Sequence, residues 1–151
     1  MDEPAKRLPP DARAYWRTSG ALRGLGLVVA ALAFSGSLGE LAWLVLLAAV
    51  VAAVLLGAVV PELRWRRWRY EIRDEEIDLM HGAFVVRRTL IPIRRVQHVD
   101  TESGPLQGSF GLTTVTFHTA AGGIEIPALL RGEAEAIRVR VAQLARTRDD
   151  T

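Results

Sequence analysis

The spacing of apolar residues changes character along the chain. From Leu41 to Val60 it is unbroken, and LAWLVLLAAVVAAVLLGAVV carries no charge. Twenty helical residues rise roughly 30 Å, the thickness of a bilayer's hydrocarbon core. A helix apolar on every side needs lipid or a large protein around it, and the rest of this chain is too short to bury one. Pro61 and Glu62 are read as its end. An earlier stretch, Gly24 to Leu38, is shorter and is interrupted by Ser35 and Ser37. It reaches spanning length once Ala21, Leu22 and Arg23 are included, with Arg23 snorkelling back toward the headgroups. A cleaved signal peptide is the competing reading, but no small-x-small cleavage pattern follows and a second full span does. The turn Ser35-Gly36-Ser37-Leu38-Gly39-Glu40 is short, so the two helices are expected to run antiparallel. Gly24, Gly26, Ala30 and Ala33 against Ala48, Ala49, Ala52, Ala53 and Gly57 predict close backbone approach.

From Trp68 the period becomes two. Trp68, Tyr70 and Ile72 alternate with charged residues, then Ile77 and Leu79 with Glu76 and Asp78, the pattern of half-buried strands. A third strand is predicted over Phe84 to Ile91, ended by Pro92, and a fourth from Val96 to Glu102. Leu106 and Phe110 suggest one helical turn. A fifth strand runs Leu112 to Thr119 with Val115 and Phe117 inward, and a sixth Ile124 to Pro127. The period then becomes 3.6: Ala134, Ile137, Val141 and Leu144 share one face of a helix from Glu133 to Arg146. Glu133 and Glu135 at its start, and Arg146 and Arg148 at its end, complement the helix dipole. Antiparallel strands followed by one amphipathic helix predict an α+β domain with the helix closing a bent sheet.

Charge orients this arrangement. Lys6, Arg7, Arg13, Arg17 and Arg23 precede the first span, Arg64, Arg66, Arg67 and Arg69 follow the second, and the turn between them has neither Lys nor Arg. The positive-inside rule then puts both termini in the cytoplasm. Tyr15, Trp16, Trp65 and Trp68 are placed to mark the same interface. The expected division is a cytoplasmic N-terminal segment (1–20), a transmembrane hairpin (21–60), a domain (65–146) and a frayed tail (147–151). With no cysteine in the chain, disulfides, thiolate metal sites and thiol nucleophiles are excluded.

The run Arg87-Arg88-Thr89-Leu90-Ile91-Pro92-Ile93-Arg94-Arg95-Val96-Gln97-His98-Val99-Asp100 resembles the signature of the bacterial pleckstrin-homology-like (PH-like) membrane proteins, the YdbS-like family. Gly104-Pro105-Leu106, Phe110-Gly111-Leu112 and His118-Thr119-Ala120 continue the likeness in order, over most of residues 20 to 146. The resemblance implies a two-helix transmembrane hairpin followed by a PH-like domain: a bent antiparallel sheet or partly open barrel capped by a C-terminal helix. Such folds usually have seven strands, and six are readable here. No defined biochemical activity comes with the resemblance.

Candidate chemistry is sparse. His81, His98 and His118 form no H-E-x-x-H and no helical i, i+4 pair, so no metal is assigned, although His98 and His118 fall on different predicted strands and are free to pair across a sheet. Asp74, Glu75, Glu76 and Asp78 occupy a hairpin, the usual place for solvated charge. No nucleophile elbow or phosphate loop exists; no catalytic residue and no cofactor are expected. The arginines remain. Arg64, Arg66, Arg67 and Arg69, with Trp65 and Trp68, suit the membrane interface and lipid headgroups, although topology alone accounts for them. Arg87, Arg88, Arg94 and Arg95 are a candidate binding rim, or a solvated edge that discourages strand addition. Nucleic acid is not expected, since base-stacking aromatics are not interleaved with these arginines. The expected role is a non-catalytic interaction or assembly module at the cytoplasmic membrane face. Its partner is a membrane protein or a second copy of itself. The alternative is anionic-lipid or small-ligand binding through the basic residues.

Overall fold

A computed structural model describes residues 2–149. The chain opens with a two-residue strand, β1 (Lys6–Arg7), and enters α1 (Pro10–Leu38). Pro10 suits a first helical position, where its missing N–H has no partner to lose. α1 ends at Gly39, whose φ of 57° is the left-handed turn that glycine allows. A 3-10 turn (Gly39–Leu41) leads into α2 (Ala42–Val54), a π turn (Leu55–Val59) and α3 (Val60–Arg67). Within Pro10–Arg67 lies the one stretch among the described residues long and apolar enough to cross a membrane.

Pro61 does not stop this run as predicted. A proline ring crowds the carbonyl four residues earlier, here that of Gly57, and removes a donor. The π turn over Leu55–Val59 widens the ladder at that point, and the helix continues to Arg67. α1 packs against α2 and the π turn. A Cβ at Gly20 would collide with the Leu56 carbonyl, and one at Gly24 would lie 2.7 Å from Ala53 Cα. Gly26, predicted at this contact, faces open space. Ser35 and Ser37 donate to the carbonyls of Leu32 and Phe34, so neither hydroxyl is left without a partner in this apolar stretch.

The domain holds two antiparallel sheets. β1, β2 (Arg69–Ile72), β3 (Glu76–His81) and β4 (Arg87–Pro92) form the first, in that order. β5 (Val96–Glu102), β6 (Leu112–Thr119) and β7 (Gly122–Leu130) form the second. A 3-10 turn (Ile93–Arg95) joins the sheets, and α4 (Pro105–Ser109) bridges β5 to β6. α5 (Arg131–Asp149) closes the core with Ala134, Ile137 and Val141, all buried. The helix therefore extends past Arg146 through part of the predicted frayed tail, while residues 150 and 151 lie outside the described residues. The barrel is not closed: β4 and β7 are both sheet edges.

Among the strand boundaries that differ from the predicted ones, two have clear local reasons. Phe84, Val85 and Val86 belong to a loop instead of the third strand. Gly82, at φ 132°, folds the chain so tightly that a Cβ there would strike the Val85 carbonyl. β7 runs on through Pro127. A register shift between Thr113 and Val115 removes the need for a ladder N–H at that point, and β7 is an edge. The Pro127 carbonyl is satisfied by Gln107 Nε2 and the Thr114 hydroxyl.

The seventh strand comes from the N-terminal segment. Lys6 pairs with Tyr70 and Arg7 with Arg69. Leu8, Ala12 and Trp16, spaced four apart along the entry to α1, join the same buried cluster as Ile77, Leu79, Phe117 and Val141. The segment expected to precede the domain is thus part of its core. Leu8→Ala should lower stability by about 2–4 kcal/mol, the usual cost of truncating a buried leucine. Denaturant unfolding of the full chain in mild detergent measures this, and an unchanged midpoint would detach the segment from the core.

Candidate functional site

The juxtamembrane residues make a seam. The Trp65 indole donates to the carbonyls of Leu8 (3.2 Å) and Pro9 (3.1 Å). Arg64 lies over the Trp16 ring at 4.1 Å and Arg13 over Trp65 at 5.1 Å. Glu62 gathers Arg17 (2.8 Å), Arg66 (2.7 Å) and Arg13 (3.6 Å). Arg67 donates to the Phe84 carbonyl, and Arg69 pairs in register with Arg7 and Met80. Trp68 is only 3% exposed and stacks on His81 at 5.4 Å. Trp16 and Trp68 are therefore core residues, unavailable to the bilayer: Trp68 sits where the chain turns from α3 into β2, and Trp16 lies on the buried face of α1 with Ala12.

The four rim arginines do not line one surface. Arg88 points to the face of the first sheet where Asp78 sits, and grips both its oxygens at 3.0 and 2.6 Å. Asp78 is 0% exposed, so the carboxylate read as solvated hairpin charge is buried. It lies on β3, an interior strand of its sheet, and Arg73 approaches it at 3.3 Å from the second side. Arg88 also donates to the Asp2 carbonyl, which ties the chain's beginning to β4. A buried charge needs such partners, so Arg88 is a structural residue. The sequence does carry a signal for it: an Asp and an Arg on neighbouring strands, a diagonal step apart.

Arg94 and Arg95 stand beside the opening between the sheets. There a cavity of about 540 Å³ is lined by Leu90, Ile91 and Pro92 from β4, by Thr119 to Ala121, and by Ile124 from β7. Toward the membrane exit a second cavity of about 370 Å³ continues the same gap, lined by Arg64, Trp68, His81, Arg87, Ile124 and Glu125. Together they form a groove between two unpaired edges, with Leu90, Ile91 and Ile124 supplying apolar lining. Sequence reasoning found the arginines and missed the apolar lining, because an edge-strand leucine is indistinguishable from any other until its neighbour is known to be absent. The loop Phe84–Val86 projects beside the juxtamembrane end, with Phe84 and Val85 each 72% exposed.

The three histidines separate into one and two. His81 is half-buried on Trp68, and His98 and His118 are cross-strand neighbours. Burial first, and then the positive charges of Arg64 and Arg87, push the His81 imidazole below its ordinary value of 6.5. Among the described residues, none of those lining the groove is a nucleophile with an adjacent base.

This fold, two sheets closed by a C-terminal helix behind an apolar helical stretch, is that of a bacterial PH domain protein. The chain belongs to the bacterial PH domain family, whose model matches residues 22–145. It is similar to UPF0699 transmembrane protein YdbS of Bacillus subtilis (strain 168), at 37% identity over 155 residues, covering 99% of this chain and 98% of that one. It also resembles UPF0699 transmembrane protein YdbT of the same organism, at 37% identity over 83 residues, covering 52% of this chain and 17% of that protein. No solved structure matches it. It is a membrane protein of the YdbS-like kind.

The His81 shift has a consequence for pH. As pH falls through 6.5 the unfolded chain takes up a proton that the folded chain still refuses. Stability is then full above 6.5 and lost below it, until the folded histidine also titrates. His81→Phe keeps an aromatic ring on Trp68 and removes the titration. Its melting temperature should fall less than the wild type's between about pH 7.5 and 5.5; an equal fall would mean His81 takes its proton as readily folded as unfolded.

Proposed function

We propose that this protein is a non-catalytic interaction module at the cytoplasmic face of the membrane, whose PH-like domain receives an extended segment of a membrane protein partner. The observation that carries the reading is the groove between β4 and β7. Unpaired strand edges offer main-chain hydrogen bonds to an extended peptide, and apolar lining between them offers side-chain contacts. Arg94 and Arg95 at the outer end suit an acidic stretch. The inner end lies beside Arg64, on the helix that leaves the membrane, so a segment emerging from the bilayer nearby enters the groove directly. A second copy of the chain is one such partner.

In this reading α1 and α2 cross the membrane as a two-span hairpin, with both termini cytoplasmic. The contacts of Gly20 with Leu56 and of Gly24 with Ala53, and the left-handed turn at Gly39, support the hairpin. The basic residues at its open end, and their absence from the turn, support the orientation. Single cysteines at Ser37 and at Glu102 report it through an impermeant thiol reagent in intact cells. Labelling at Ser37 alone is expected; labelling at Glu102 without lysis would invert the topology.

A second reading, binding of anionic lipid, is favoured by the exposed Phe84–Val86 loop beside Arg67 and Arg87. An apolar tip flanked by basic side chains is the composition of a membrane-surface contact. One experiment separates the two. A photo-crosslinking residue is placed at Leu90, Ile124, Phe84 or Glu135 of the full chain in native membranes, the last being an exposed control on α5. Protein adducts from Leu90 and Ile124 and not from Glu135 are expected. Lipid adducts from Phe84, with nothing from Leu90 or Ile124, would replace the partner reading by the lipid one.

A further inference from the structure

We propose that His98, Asp100 and His118 form a binding site for a divalent transition-metal ion, Zn²⁺ being the best fit, on the face of β5 and β6 turned away from the core. The two imidazoles lie directly opposite each other across the β5–β6 ladder, stacked with their centroids 4.2 Å apart and their planes 12° from parallel. Both Nε2 atoms approach the same carboxylate oxygen: Asp100 Oδ2 is 3.0 Å from that of His118 and 3.7 Å from that of His98. One donor atom from each of the three residues falls within 4.8 Å of the others.

The backbone builds this arrangement. Val96 pairs with Thr119, and an unbroken ladder would then set His98 against Phe117. A register shift between Val96 and His98 instead sets His98 against His118 and Val99 against Phe117. Bulges re-aim side chains in this manner. One irregularity near Gln97 therefore does two things: it aligns Val99 with buried Phe117, and it brings both histidines to the outer face beside Asp100. On the third strand His118 faces Gly123, so no side chain from β7 covers the imidazole. Arg138 lines the hollow beside His98, but Glu135 holds its guanidinium.

The donor set selects the ion. Two imidazole nitrogens and one carboxylate oxygen suit Zn²⁺ and its neighbours, whereas Mg²⁺ and Ca²⁺ require oxygen ligands throughout. Ligands at zinc distances in a tetrahedron stand roughly 3.3 Å apart. The spacings at Asp100, 3.0 and 3.7 Å, bracket that value; the stacked imidazoles must swing out of their near-parallel arrangement for both Nε2 lone pairs to converge on one ion. All three side chains are reachable by solvent, with exposures of 59%, 62% and 34% for His98, Asp100 and His118. Three protein ligands leave a fourth position for water or for a ligand from another chain.

The test uses the untagged full chain in mild detergent, stripped with a chelator and titrated with Zn²⁺ by calorimetry. One ion per chain at micromolar or tighter affinity is expected. His98→Ala, Asp100→Ala and His118→Ala should each weaken binding about tenfold or more, and His98→Ala/His118→Ala should abolish it. His81→Phe should bind as wild type does, and Mg²⁺ should not compete. Thermal melts check that the variants stay folded. Co²⁺ should give the intense visible bands of a low-coordinate site, lost in the double variant. Uptake only at millimolar Zn²⁺, or uptake that survives the double variant, would overturn the site.

Discussion

The packing of Leu8, Ala12 and Trp16 into the domain core sets the terms for everything else in this molecule. These residues lie just before and in the first turns of α1, and β2, the strand that β1 pairs with, begins just after α3. The chain therefore enters and leaves its apolar helical stretch through one seam. Trp65, hydrogen-bonded to the carbonyls of Leu8 and Pro9, closes that seam from the α3 side. A domain fastened at both ends has little freedom to swivel, since turning it would expose buried Leu8, Trp16 and Trp68 together. Its orientation to the helices is a property of the core, where a linker would have left it to diffusion.

The same constraint distributes the charge. Arginines that leave a membrane helix are usually read as a uniform basic patch. Here Arg13, Arg17 and Arg66 converge on Glu62, Arg64 covers Trp16, and Arg88 neutralises buried Asp78. Of the arginines on β4 and the turn after it, Arg87 lines the gap between the sheets toward the α3 end, and Arg94 and Arg95 line its far end. That gap exists because β4 and β7 stop short of pairing. A closed barrel would have used the same main-chain groups on itself.

Irregular backbone recurs where the fold meets a competing demand. The π turn before Pro61 lets one helix run from the apolar stretch to the domain. The register shift opposite Thr114 admits Pro127 into an edge strand and presents its carbonyl to Gln107. The shift beside Gln97 brings His98 face to face with His118. In each case a single-residue adjustment changes which side chains meet while the strand or helix itself survives.

Hydrophobic period alone determined the long apolar stretch, most of the strands and the face of α5. Those signals are local: a run free of charge, an alternation, or Ala134, Ile137 and Val141 at helical spacing. Val115 and Phe117 were legible as inward residues for the same reason. What only the tertiary structure decided is everything that joins distant parts of the chain. A two-residue strand at Lys6–Arg7 has no period to read, so the seventh strand and the core role of the N-terminal segment stayed hidden. Asp78 reads as one acid among several in a hairpin; its burial follows from Arg73 and Arg88 arriving on either side. The division of the arginines into structural and free, and the meeting of His98 with His118, depend on strand register. Register is set by the summed packing of whole sheets, and a one-residue shift reverses which side chains face the core.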